Sequence, residues 1–228
     1  MAKHRDTEYG QEWFEKLQQI ARGSLQHPAT PPLAFPHPLD SAPSRAGELR
    51  KMKKFRFQLL HRWLVERFEP CRVADIGGGK GLLAYLLQES GWETAVIDPA
   101  YQTLPDKFKD IALNRRVRIP AAAQVRHITQ PFDSQMGQHF DLLIGMHAHG
   151  SMAKIIDAAA EYGCGFVLFP CCVIDEPFFP RIGFSWLESV ADYAVRKNHA
   201  IYPFRLNFKG QNIGLCEIGR RAKIRKFE

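Results

Sequence analysis

Apolar positions along the chain fall into two rhythms. From Gln11 to Ser24, Trp13, Phe14, Leu17, Ile20 and Ala21 recur at helical spacing, which predicts a short amphipathic helix that needs a surface to pack on. From Arg45 to Phe68 the same period carries Leu49, Met52, Phe55, Leu59, Leu60, Trp63, Leu64 and Phe68. Arg50, Lys51, Lys53, Lys54, Arg56 and Arg62 lie mostly between them, so a long basic helix is expected there. Between the two, His27 to Ser44 holds six prolines, which withdraw backbone donors and keep the chain extended as a linker or draped arm. From Arg72 onward the rhythm changes. Short apolar runs alternate with helical patterns, the signature of βαβ units feeding a parallel sheet covered on both faces.

Strands are expected at Arg72–Ile76, Glu93–Ile97, weakly near Gln124–Ile128, then at Asp141–Gly145, Gly165–Phe169, Ala200–Phe208 and Asn212–Gly219. Helices are expected at Lys80–Ser90, Ser151–Tyr162 and Trp186–Lys197. The last two strands read as a hairpin across Lys209-Gly210-Gln211, where glycine supplies the positive φ that such connections often demand. The expected architecture is one α/β domain over residues 45–228, a seven-stranded and mostly parallel sheet that ends in an antiparallel hairpin, with a helical and proline-rich arm over 1–44.

Composition narrows the function classes. The 228 residues are 45% hydrophobic and 24% charged, close to the globular average, which excludes collagen-like, coiled-coil and wholly disordered chains. A net charge of +7 favours polyanionic partners and makes RNA or DNA a live hypothesis. The five cysteines, Cys71, Cys164, Cys171, Cys172 and Cys216, form no disulfide framework and fit a reducing compartment. No run approaches a membrane-spanning length, and Met1 to Gly10 lacks the apolar run of a secretory signal, so a cytoplasmic location is expected.

The strongest chemical signal is Val73-Ala74-Asp75-Ile76-Gly77-Gly78-Gly79-Lys80-Gly81-Leu82-Leu83, an apolar strand that runs into glycines and then a helix. Glycines there let backbone amides approach a nucleotide-like ligand closely. A P-loop would need serine or threonine after the lysine, and Lys80 is followed by Gly81. A dinucleotide fingerprint would want glycine in place of Leu82 and would set pyrophosphate beside Asp75, where like charges repel. S-adenosylmethionine (SAM) instead brings an ammonium and a sulfonium to an acidic strand end, which attracts them. A second acid, Asp98 of Val96-Ile97-Asp98-Pro99, follows Gly77 by 21 residues, the spacing at which a carboxylate accepts ribose hydroxyls.

With these motifs the chain resembles the class I SAM-dependent methyltransferases over about Arg45 to Glu228, which implies a Rossmann-like fold. The Lys53-Lys54 helix, Gly145-Met146-His147-Ala148-His149-Gly150 and Phe169-Pro170-Cys171-Cys172 are similar to the group that includes a eukaryotic tRNA ribose 2′-O-methyltransferase. That group usually carries cysteine where His149 stands. The resemblance implies a cofactor site at Asp75, Gly77, Gly78, Gly79, Gly81, Asp98, Pro99, Gly145 and His147.

The ends of strands four and five face the ligand crevice of an open parallel sheet, so His147, His149, Pro170, Cys171 and Cys172 should converge near the transferred methyl group. His147 is the preferred base, needed if the acceptor is a hydroxyl or a protonated amine. Covalent catalysis by a cysteine beside it is a lesser option. No metal is expected, because adjacent cysteines rarely point at one ion and structural zinc sites favour two to four residues between paired cysteines. Three basic groups, Lys51 with Lys53, Lys54 and Arg56, Arg115 with Arg116 and Arg118, and the Arg220–Lys226 tail, would hold nucleic acid if they share one face. Phe35, Tyr101, Phe178 and Phe179 are candidates to stack on an unpaired base. The reading favours methylation of RNA, tRNA foremost. Its alternatives are a small-molecule or protein methyltransferase, and a catalytically silent SAM-fold binding module.

Overall fold

The computed structural model describes residues 15–21 and 52–225. The proline-rich segment, the start of the expected basic helix and the last three residues lie outside them. Five strands run parallel, β1 (Arg72–Ile76), β2 (Glu93–Ile97), β5 (Arg126–Ile128), β6 (Leu142–Met146) and β7 (Gly165–Phe169). The antiparallel pair β8 (Tyr202–Arg205) and β9 (Ile213–Glu217) closes one edge, giving the order β5-β2-β1-β6-β7-β9-β8. The seven expected strands are all present. β6 and β7 are buried along their whole length, as continuous apolar runs covered on both faces must be.

Among the described residues the sheet is covered by α1 (Arg56–Arg67), α2 (Leu82–Glu89), α3 (Met152–Tyr162) and α4 (Trp186–Arg196), with the helical residues 15–21 beside them. The basic helix expected to be continuous is interrupted, among the described residues, by a 3-10 turn at Lys53–Phe55 between helical Met52 and α1. It ends at Phe68 in an extended conformation, ahead of Pro70, which cannot continue a helix. Ser185 and Glu188 cap α4 reciprocally, each side chain accepting the other's backbone N–H.

Two apolar clusters sandwich the sheet. One joins α3 and α4 to the sheet through Ile155, Ile156, Phe166, Leu187 and Val190, and Leu17 and Ala21 of the helical residues 15–21 are buried in it. The second joins α1 and α2 to the other face through Leu60, Leu64, Leu83 and Phe169. There Trp63 stacks on Phe204 with centroids 3.9 Å apart and carries the Arg67 guanidinium over its ring.

The sequence pattern did not reveal a separate two-stranded ribbon, β3 (Lys107–Lys109) and β4 (Arg116–Arg118), in the β2 to β5 connection. Among the described residues no helix is long and apolar enough to cross a membrane. Trp63→Ala should remove the stacked partner of Phe204 and lower unfolding free energy by about 3–5 kcal/mol, measured as a fall in the urea midpoint at unchanged slope.

Candidate active site at the carboxyl ends of the strands

The strand order reverses direction at β1, whose neighbours are β2 on one side and β6 on the other. The connections leaving these carboxyl ends part there and open a crevice. Gly77 N–H donates to Ile97 O at 2.8 Å, and Gly81 N–H to Gly78 O at 3.0 Å, which folds the glycine run into a tight turn against β2. Gly77, Gly79 and Gly81 have φ values of +65°, +54° and +72°, where side chains are strained. Gly78 is needed for another reason, since a Cβ there would collide with the Asp75 carboxylate.

Asp75 is only 2% exposed and its Oδ2 has no hydrogen-bond partner. Burial pushes its carboxyl up to about 7, an effect that a backbone hydrogen bond with Ala84 opposes and the charge of Asp98 reinforces. The orphaned Oδ2, beneath a glycine turn, lacks a counter-charge or donor of its own, which leaves the ionised form only partly stabilised. Asp98, at the end of β2, accepts Gly79 N–H at 3.0 Å on Oδ2 and Ala100 N–H at 2.9 Å on Oδ1. Those bonds hold its carboxylate at the mouth of the same turn, with lone pairs to spare. Pro99 beside it is exposed, as is Tyr101 at 62%, whose ring meets the His127 ring edge-on at 5.0 Å. His127 also lies against Gly81. It is a residue of this crevice that sequence reasoning missed, because a lone histidine in a weak strand carries no motif.

Across the crevice, Gly145 is buried in β6, and a Cβ there would press on Ile155 and Leu168. Its small size lets α3 pack on the sheet. His147, just beyond β6, holds the left-handed conformation at φ +62° and is half-buried. Burial, then the nearby charges of Arg56 and Lys53, and then His149, lower its imidazole to about 4. Lys53 lies in the turn before α1 and Arg56 at the start of α1. Lys54 is exposed over the Phe55 ring, and Arg56, over the Phe57 ring, is lowered by partial burial.

The loop after β7 is tied to the loop after β6. Gly150 N–H donates to Ile174 O at 3.0 Å, and the buried Glu176 carboxylate accepts Met152 N–H at 2.8 Å and Ala153 N–H at 3.2 Å. Glu176 thereby caps the amino terminus of α3, where its charge is favoured. No motif announced that role. This tie brings together His149, Cys171 and Cys172, whose ligand atoms lie within 4.8 Å of one another, and Cys171 Sγ is 3.6 Å from Cys172 Sγ. Burial, followed by the Cys172 thiol, raises Cys171 to about 11. Pro170 is buried beneath them.

The three basic groups do not share one face. Gln58 of α1 donates to Lys109 O at 2.8 Å and accepts Ile111 N–H at 2.9 Å, so the ribbon carrying Arg116 and Arg118 is clamped to the helix whose Arg56 charge acts on His147. Arg115 is exposed on the turn just before β4. The tail is elsewhere. Arg221 donates to Gln138 O and Phe140 O, and Arg225 Nε to Phe68 O, all at the amino ends of strands on the edge opposite the glycine turn. Of the candidate stacking rings, Phe178 packs on Trp186 and Tyr193, Phe179 is 77% exposed, and Phe35 lies outside the described residues.

Strand order, glycine turn and two strand-end acids make one pattern. The chain has a Rossmann-like α/β fold, a mostly parallel seven-stranded sheet closed by an antiparallel pair. No protein-family profile matches it. It is similar to a probable tRNA (uracil-O(2)-)-methyltransferase of Caenorhabditis elegans, 34% identical over 106 residues that make up 46% of this chain and 18% of that protein. The protein of the same description from Caenorhabditis briggsae is 32% identical over 112 residues, again 46% and 18%. The chain therefore spans about a fifth of the length of these relatives. Among solved structures it overlaps magnesium protoporphyrin IX methyltransferase of Synechocystis with bound SAM, at 14% identity and a TM-score of 0.44, over 97% of this chain and 95% of that one. It also overlaps TnmH, at 13% identity and a TM-score of 0.43, over 75% and 56%.

The residues of the site fit SAM, the cofactor expected from the glycine turn and the two strand-end acids. The orphaned Asp75 oxygen wants a donor or cation, which the methionine ammonium offers, and Asp98 offers lone pairs to ribose hydroxyls. Asp75→Asn should weaken SAM binding about 10- to 100-fold by calorimetry, the loss of one hydrogen bond to a charged group. Unchanged affinity would remove Asp75 from the cofactor site.

Proposed function

We propose that this methyltransferase transfers the methyl group of SAM to RNA, with tRNA as the substrate and a ribose hydroxyl as the acceptor. The observation that carries the RNA reading is the β3–β4 ribbon. Its register sets Lys107 opposite Arg118 and Lys109 opposite Arg116, so like charges face each other across the strands. Directly opposed like charges destabilise an antiparallel pair, and among the described residues no carboxylate forms an ion pair with any of the four. A polyanion relieves that repulsion. Arg115 adds a fifth cation, and the Gln58 clamp links the ribbon to Lys53, Lys54 and Arg56 at the β6 tip. The likeness to the two nematode proteins described as tRNA methyltransferases supports the same reading.

In this scheme Asp75, Asp98 and the glycine turn hold SAM, and the cationic ribbon and α1 hold phosphates. His147, at the end of β6, would accept the hydroxyl proton of the acceptor, and SAM would supply the methyl group, its S–C bond breaking to release S-adenosylhomocysteine. Pro170 shapes the floor of the pocket. The five free thiols suit the reducing cytoplasm.

Incubation of the protein with methyl-labelled SAM and separate tRNA, protein and metabolite fractions tests the reading. Label should enter tRNA and be lost with Asp98→Ala; label in another fraction alone overturns the RNA assignment. The combined Lys107→Ala, Lys109→Ala, Arg116→Ala and Arg118→Ala variant should bind tRNA more weakly, with SAM affinity unchanged. Its log affinity against log salt should flatten by about 0.7 to 0.9 for each phosphate that is no longer neutralised. His147→Gln should reduce turnover at saturating tRNA and SAM by about 100-fold or more.

A further inference from the structure

We propose that His149, Cys171 and Cys172 form a three-ligand site for a thiophilic divalent cation, Zn2+ above all. The three ligand atoms lie within 4.8 Å of one another. The two sulfurs are 3.6 Å apart, and a tetrahedral ion with Zn–S bonds of about 2.3 Å sets two sulfurs about 3.8 Å apart. The two sulfurs therefore already stand at nearly the spacing that such an ion sets, with the histidine nitrogen within 4.8 Å of both. Two thiolates and one imidazole are soft to borderline donors that select zinc over magnesium or calcium.

The adjacency of the cysteines argues against a zinc-finger knuckle, in which both paired ligands belong to one short loop. Here the third donor comes from another strand end, and the site is assembled by packing rather than by local spacing. Strands β6 and β7 are in register up to Met146 and Phe169, which sets the two loops side by side. Gly150 N–H to Ile174 O and the Glu176 cap on Met152 and Ala153 then lock them together. At Gly150 a Cβ would stand 2.9 Å from the Asp175 Cβ, so glycine is what permits the close approach of the loops. None of these bonds uses the three ligands, so the cluster is preorganised before an ion arrives.

His149 and Cys171 are exposed and Cys172 is half-buried, so an ion can enter from solvent, and three protein ligands leave a fourth position for water or another ligand. Two thiolates balance the charge of the ion. The loaded site therefore adds no net charge near Lys53 and Arg56.

Titration of the reduced, metal-free protein with Co2+ tests the proposal, because tetrahedral thiolate coordination produces intense visible d–d bands and a near-ultraviolet sulfur-to-cobalt band. One equivalent should saturate the signal, and Zn2+ should displace it. The Cys171→Ser, Cys172→Ser double variant should lose the bands while keeping SAM affinity by calorimetry, which shows that it is folded. His149→Ala should weaken Co2+ binding at least tenfold. Three results would each overturn the proposal: Co2+ that keeps the spectrum of the aqua ion, bands that persist in the double variant, or Cys171 and Cys172 reacting with maleimide at the metal-free rate under excess Zn2+. The titration involves neither SAM nor RNA, so it stands or falls separately from methyl transfer.

Discussion

The reversal of strand order at β1 is the constraint on which the rest depends. β1 is hydrogen-bonded to β2 on one side and to β6 on the other, with Asp75 paired in register to Val96 and to Ile144. Parallel pairing obliges every connection to return over a face of the sheet, so all carboxyl ends gather along one edge. The loops leaving β1, β2, β6 and β7 are consequently neighbours, and each carries chemistry: the glycine turn, Asp98, His147 with His149, and the two cysteines.

Electrostatics divides that edge. Its floor is acidic, with Asp75 buried and one oxygen unpaired, and its rim is basic, with Lys53, Arg56 and the β3–β4 ribbon. An acidic floor attracts cationic groups and a basic rim attracts anionic ones. The cations at the opposite edge serve differently. Arg221 and Arg225 are spent on backbone carbonyls that fasten the chain end across the amino ends of the strands, so a run of basic residues in sequence there is a structural clasp.

Much of this was legible beforehand because its physics is local. The boundaries of β1, β2 and β7 follow from apolar runs set between Pro70 and Gly77, Gly91 and Asp98, and Gly163 and Pro170, and the glycine turn from residues that readily adopt its dihedral angles. The ribbon was not legible, although Lys107-Phe108-Lys109 and Arg116-Val117-Arg118 each alternate with period two. Three residues are too few to separate a strand from chance, and what makes the ribbon notable is its register, a property of the pair. Gln58 was equally silent: a glutamine on a helix is ordinary until both ends of its amide meet the backbone of another segment.

By itself the sequence determined the α/β class, the strand and helix positions, the glycine turn and the two strand-end acids, because periodicity and backbone propensity act over a few neighbouring residues. Only the tertiary structure decided which basic groups stand by the site, that Asp75 Oδ2 is left without a hydrogen-bond partner, and that Gln58 ties the ribbon to α1. Those outcomes depend on burial and on contacts between segments far apart in the chain, for which no short stretch of sequence carries a signal.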